Sequence, residues 1–203
     1  MPSEPSVRIL FVGDMHLGRL PSSVPPAVLE NDRWRLTDLG PGAAWARIVE
    51  AAVANRVHAV ALAGDLVERD GLLFETFGPL ATGVRRLVDA GILVAAVAGN
   101  HDTVVLPRLA DEIAGFQLLG PGGTWSTVTV AGEDGHRVRL AGWSFPRRHH
   151  DLSPLQTPPP RTEGITFGLL HADLDAPGSS YAPVGRAELN RIGFHGWFLG
   201  HVH

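Results

Sequence analysis

Cysteine is absent from this chain of 203 residues. Disulfides are thereby excluded, and so are thiolate-held zinc and iron–sulfur clusters; any metal must be bound through nitrogen and oxygen. A basic excess is also lacking. Lys and Arg number 17 against 21 Asp and Glu, a formal net charge of −4, so no global positive field draws in nucleic acid. A nucleic-acid partner would need a local basic patch or bound cations. No apolar run approaches the roughly 18 residues of a membrane-spanning helix. The opening MPSEPS is polar, and the apolar run Val7–Val12 behind it is too short for a secretory signal. These absences predict a cytoplasmic protein with no membrane partner.

What is present suits one domain over residues 1–203, with 44% hydrophobic and 19% charged residues. VRILFV (Val7–Val12), VHAVALAG (Val57–Gly64) and ILVAAVAG (Ile92–Gly99) read as buried strands. Trp45, Ile48, Val49, Ala52 and Val53 keep helical spacing, as do Leu73, Phe77, Leu80, Val84, Leu87 and Val88. The resulting β-α-β-α-β pattern predicts an α/β parallel sheet with helices on both faces. Leu17–Pro41, with no period and several prolines, reads as a long loop. A short helix is predicted over Leu106–Ala114. TWSTVTV and HRVRLAGW then alternate around AGEDG, a hairpin signal. Residues 147–162 read as an exposed loop, ITFGLL and GWFLG as two further strands, and Val184–Arg191 as a helix between them.

Polar residues recur where these strands end. Asp14 and His16 follow the first, Asp65, Glu68 and Arg69 the second, Asn100, His101 and Asp102 the third. His171 follows ITFGLL, and His201 and His203 follow GWFLG. Singly, each has an ordinary structural reading as a turn residue, a cap or a core histidine. Together they occupy one structural position, the carboxyl ends of strands, where open α/β sheets bind ligands. Asp14, His16, Asp65, Asn100, His171, His201 and His203 are too many donors for one ion. Two divalent cations with Asp65 between them fit, and such a pair clamps a phosphoryl displacement. Imidazole with carboxylate suits manganese, iron or zinc over magnesium or calcium. His101, adjacent to a ligand, is left as the proton donor, with Glu68 to orient it. Asp102 is expected to cap the segment after it.

The ordered set D-x-H, G-D-x-x-E-R, G-N-H-D, a single His and G-H-x-H resembles the calcineurin-like metallophosphoesterases, from Asp14 to His203. The resemblance implies a four-layer α-β-β-α sandwich. It also implies one ion on Asp14, His16, Asp65 and His203, a second on Asp65, Asn100, His171 and His201, and His101 as catalytic acid. DMHLGR (Asp14–Arg19) is similar to the start of SbcD-type DNA repair nucleases, which implies a manganese-dependent DNA exonuclease working with an SbcC-type ATPase. Members of that family continue past the last motif, so either the sandwich is truncated after His203 or the natural chain is unusually short, and the His203 arm is expected to be weakly ordered when no metal is bound. Arg19, Arg69, Arg147 and Arg148 are candidate substrate contacts. A phosphatase or cyclic-nucleotide phosphodiesterase of the same family, acting on small molecules, is the alternative that the acidic net charge favours.

Overall fold

The protein is described by a computed structural model covering residues 6–21, 24–30, 35–133, 135–161 and 163–202. The chain begins with β1 (Ile9–Val12), a short α1 (Pro26–Leu29) and a 3-10 turn at Leu36–Leu39, so the segment read as bare loop carries two small helical turns. Next come α2 (Pro41–Ala54), β2 (Ala59–Ala63), α3 (Leu73–Asp89), β3 (Leu93–Val97), α4 (Val105–Glu112) and β4 (Phe116–Leu118). Strands β1 to β4 form one parallel sheet in chain order. A second four-stranded sheet is built from β5 (Trp125–Ala131), β6 (Arg137–Trp143), β7 (Ile165–His171) and β8 (Gly196–Gly200), with α5 (Arg186–Ile192) before the last strand. The β5–β6 pair is the antiparallel hairpin that the alternation predicts, while β6, β7 and β8 run parallel.

Helices do not cover both faces of the first sheet, and that expectation is corrected. Side chains alternate across a strand, and β2 shows the consequence. Val60 and Leu62 join Trp45, Leu80, Val84 and Leu87 in a core beneath α2 and α3. Ala59, Ala61 and Ala63 point the other way, into a core shared with Leu140 and Leu169 of the second sheet. Alanines on that face let a second sheet pack closely. A third cluster, with Trp143, Leu170 and Leu189, joins α5 to the outer side of the second sheet. The layers are therefore α-β-β-α, as the family resemblance implies.

Strands β1, read as buried, and β8 are edges. Strand β1 and most of β8 are only half-buried, for each has a single neighbour in its sheet. Helix α3 runs unbroken through Gly78, Pro79 and Gly83. Trp45 lies against it, its indole N–H donating to the Pro79 carbonyl at 3.1 Å, and a Cβ at position 83 would overlap that ring. Among the described residues no helix is long and apolar enough to cross a membrane.

Candidate metal centre

The turns after β1, β2, β3, β7 and β8 are fastened to one another by the backbone. Asp14 N donates to Gly64 O at 3.2 Å, His16 N to Asp65 O at 2.9 Å and Leu17 N to Leu66 O at 2.7 Å. His201 N donates to both carboxylate oxygens of Asp14 at 3.1 Å, and His101 N to Asp65 Oδ1 at 3.0 Å. Asp14, His16, Asp65 and His201 all have positive φ, at 54°, 48°, 49° and 117°. Non-glycine residues seldom adopt that conformation, and those that do cluster at functional sites. Glycines in these turns have a spatial reason at positions 64 and 99. A Cβ on Gly64 (φ +85°) would lie 2.6 Å from His171 Nδ1, and one on Gly99 would lie 2.6 Å from the Asp65 nitrogen.

Among the described residues three donor clusters result, one of His16, Glu68 and His101 and two that share a carboxylate. Asp14, His16 and Asp65 each offer an atom within 4.8 Å of the others, and so do Asp65, His171 and His201. Asp65 belongs to both. Asn100 Oδ1 lies 3.1 Å from His171 Nε2, beside the second cluster. The protonation pattern tests whether a cation fits. His171 Nδ1 donates to the Ala63 carbonyl at 3.0 Å, which leaves Nε2 of the neutral ring as a lone pair. His201 Nε2 lies 3.3 Å from Asp173 Oδ1, which leaves its Nδ1 as a lone pair, 3.2 Å from His171 Nε2. Asp65 Oδ2 is 3.2 Å from the same nitrogen. Two imidazole lone pairs, an amide oxygen and a carboxylate thus converge on one point. Such a set of acceptors is complementary to a cation.

Electrostatics agree with this. Burial pushes the Asp65 carboxyl up, but the hydrogen bond and charge of His171 override it and hold the group below the usual carboxylate range. Burial lowers His16 and His201, which keeps both rings neutral and able to ligate. Burial also opposes protonation of His171, yet the Asp65 hydrogen bond and charge raise it; a cation on Nε2 would take the proton's place. His203, the expected seventh donor, lies outside the described residues, as does the expectation about its order.

The sequence pattern of the family described as Calcineurin-like phosphoesterase matches residues 7–203. The chain belongs to that family. Over 105 residues it is 34% identical to the DNA double-strand break repair protein Mre11 of Aeropyrum pernix, a match covering 52% of this chain and 22% of that protein. The chain thus spans about a fifth of this curated relative. Among solved structures, TT1561 of Thermus thermophilus matches 97% of this chain and 68% of its own, at 17% identity and a TM-score of 0.42. A dimetal phosphatase from Danio rerio matches 79% of this chain and 49% of its own, at 14% identity and a TM-score of 0.44. Pseudomonas putida nuclease MPE matches 87% of this chain and 68% of its own, at 15% identity and a TM-score of 0.40.

In this calcineurin-like phosphoesterase His101 stands at the rim of the centre. Its Nδ1 donates to the Glu68 carbonyl at 2.7 Å, and its Nε2 faces Asp65 Oδ2 at 3.9 Å. Glu68 meets His101 through its main chain. Its carboxylate instead approaches His16 Nδ1 at 2.9 Å, a carboxylate–histidine contact of the kind that fixes a metal ligand's tautomer. Arg69 and Arg148 line a cavity of about 440 Å³ together with Glu68, Asn100 and His101. Arg147 lines the neighbouring cavity, and Arg19 is exposed beyond Gly18, away from both linings.

Asp102 does not cap the segment after it. It is 0% exposed and reaches back instead, accepting from Gly99 N at 2.8 Å, Leu66 N at 2.7 Å and Val67 N at 3.2 Å. It staples the third turn to the second. The start of α4 is met by Asp70, which accepts from Val104 N and Val105 N. Two further residues escaped sequence reasoning: Asp173, behind His201 and held by the Ser179 hydroxyl, and Tyr181, whose ring lies 5.0 Å from that of His201. No strand-end position marks Tyr181, although Asp173 stands two residues after His171.

Proposed function

We propose that this chain is a two-metal phosphodiesterase acting on DNA, a nuclease of the SbcD and Mre11 kind. The observation that carries the reading is the shared carboxylate, for Asp65 belongs to two of the donor clusters. Cations held on its two sides would be close enough to act on one phosphate. When bound, a pair of divalent ions supplies Lewis-acid charge for the phosphoryl group and makes water a nucleophile near neutral pH. Asp14, His16, Asp65, Asn100, His171 and His201 would hold them, with His203 as the further ligand that the resemblance implies.

The chain's own groups do the rest. Asp173 and the Ala63 carbonyl hold the His201 and His171 rings with their lone pairs inward. The Glu68 carbonyl holds His101 so that its Nε2 faces the cluster. Protonated, that nitrogen delivers a proton to the departing ester oxygen. Arg69, exposed on the same cavity, attracts the phosphate. Manganese is the ion proposed, since the mixed donors suit it and the DMHLGR likeness points the same way. That likeness and the partial match to Mre11 support DNA as substrate, and an SbcC-type ATPase as partner.

The test is hydrolysis with manganese of labelled single- and double-stranded DNA beside bis-p-nitrophenyl phosphate. Cleavage of DNA together with the small diester is expected. Turnover of the small diester with inert DNA would move the reading to a small-molecule phosphoesterase. Absence of both, with no metal in the purified protein, would mean a scaffold without chemistry.

A further inference from the structure

Beyond His101 the rim of the site is formed by two segments that the metal chemistry does not use. His150 N donates to Ser180 O at 2.8 Å, and Ala182 N donates to His150 O at 2.6 Å, so residues 146–151 and 179–182 form one wall. Arg147 Nε donates to the His149 carbonyl at 3.1 Å, and its guanidinium is thereby turned to fastening the loop. Arg148 is exposed and, among the described residues, makes no hydrogen bond or ion pair. It stands on the ridge between two cavities, the one of about 440 Å³ that holds Asn100 and His101, and the next, about 500 Å³, lined by Arg147, His149, Asp151 and Ser180.

Three rings step outward beside it. The His201 and Tyr181 rings lie 5.0 Å apart and tilted by 41°, and the Tyr181 and His149 rings 5.5 Å apart and tilted by 37°. Tyr181 is half-buried, and His149, the outermost, is exposed. An exposed guanidinium next to a supported ring is the pair of contacts by which proteins hold one unit of a single strand, a cation for the phosphate and a flat face for the base. Arg147 is tied to the His149 carbonyl, which leaves the phosphate to Arg148, on the ridge, and the cavity walled by His149 to the base.

We propose that this wall is a nucleotide subsite, in which Arg148 takes the phosphate next to the scissile one and His149, backed by Tyr181, stacks the adjoining base. The substrate class is then a single nucleic-acid strand led across the metal centre. The inference rests on the nuclease reading above and names the element that would select a strand over a small ester.

Kinetics with manganese on a single-stranded oligodeoxynucleotide and on bis-p-nitrophenyl phosphate, with anisotropy of the labelled oligonucleotide, test it. Arg148→Ala and His149→Ala are each expected to lower the ratio of oligonucleotide to small-diester kcat/KM about tenfold, through KM. Arg148→Ala should also flatten the salt dependence of oligonucleotide binding by about 0.7 in log–log slope. His149→Phe, which keeps a ring, should restore the ratio, whereas a merely structural role for His149 would not be rescued in this way. Oligonucleotide cleavage and binding identical in parent and both alanine variants would overturn the subsite while leaving the nuclease reading intact. A parent that hydrolyses the small diester but neither binds nor cuts the oligonucleotide would overturn both.

Discussion

Asp65 is 2% exposed, and a carboxylate so buried is costly to keep ionised unless partners favour the charge. His171 Nε2 at 3.2 Å and the His101 amide at 3.0 Å supply them. Asp65→Ala is therefore expected to lose both ions together, with activity down at least about a thousandfold, and elemental analysis of the purified variant checks it. His101→Ala is expected to keep its metal and lose about a hundredfold or more in turnover of alkyl esters, with a smaller loss on nitrophenyl esters, whose leaving group needs no proton. Equal losses on both ester types would remove the acid role. Asp102 makes a pH prediction. Burial, and next the charge of Asp65, raise its carboxyl from 3.8 to about 7. The folded protein thus binds a proton more tightly than the unfolded chain. Its contribution to stability is fully present below about pH 4 and is lost as pH rises through 7, by up to about 1.4 kcal/mol per pH unit. Urea midpoints of metal-free protein should fall across that window, and the Asp102→Asn variant should show a shallower slope.

At the level of elements, the strand-end pattern of the sequence corresponds to turns that interlock. The motif G-N-H-D needs glycine at 99 because a Cβ there would meet the Asp65 nitrogen at 2.6 Å. Gly99→Ala is expected to leave far-UV circular dichroism unchanged and to cut turnover about a hundredfold, the usual cost of displacing a catalytic group by an ångström. The strands and the long helices were legible because their apolar periods are regular. Strand β4, with three residues, carries too short a pattern to declare itself. The edge positions of β1 and β8 were not legible either, since a short apolar run looks the same with one neighbour as with two. The alternation in AVALA was a usable sign of the second sheet, because small residues fell on one face and large ones on the other.

The whole molecule brings donors from both sheets to one place, so cation binding should couple the sheets. Manganese at about a hundred times its dissociation constant is expected to raise the melting temperature by about 5–10 °C. Chelation should reverse it, and scanning calorimetry of the two forms decides the matter. Asp65→Ala, having lost both ions, should show no such shift.

By itself the sequence determined the kinds of donor and their order along the chain: no thiol, and carboxylate, amide and imidazole groups at the ends of successive strands. It determined that much because residue chemistry and strand period are local properties. Only the tertiary structure decided that Glu68 serves His101 by its carbonyl and His16 by its carboxylate, that Asp102 staples two turns, and that Tyr181 stands beside His201. Those facts depend on which side chains meet across sheets that pair residues far apart in the chain. No window of sequence contains such a meeting.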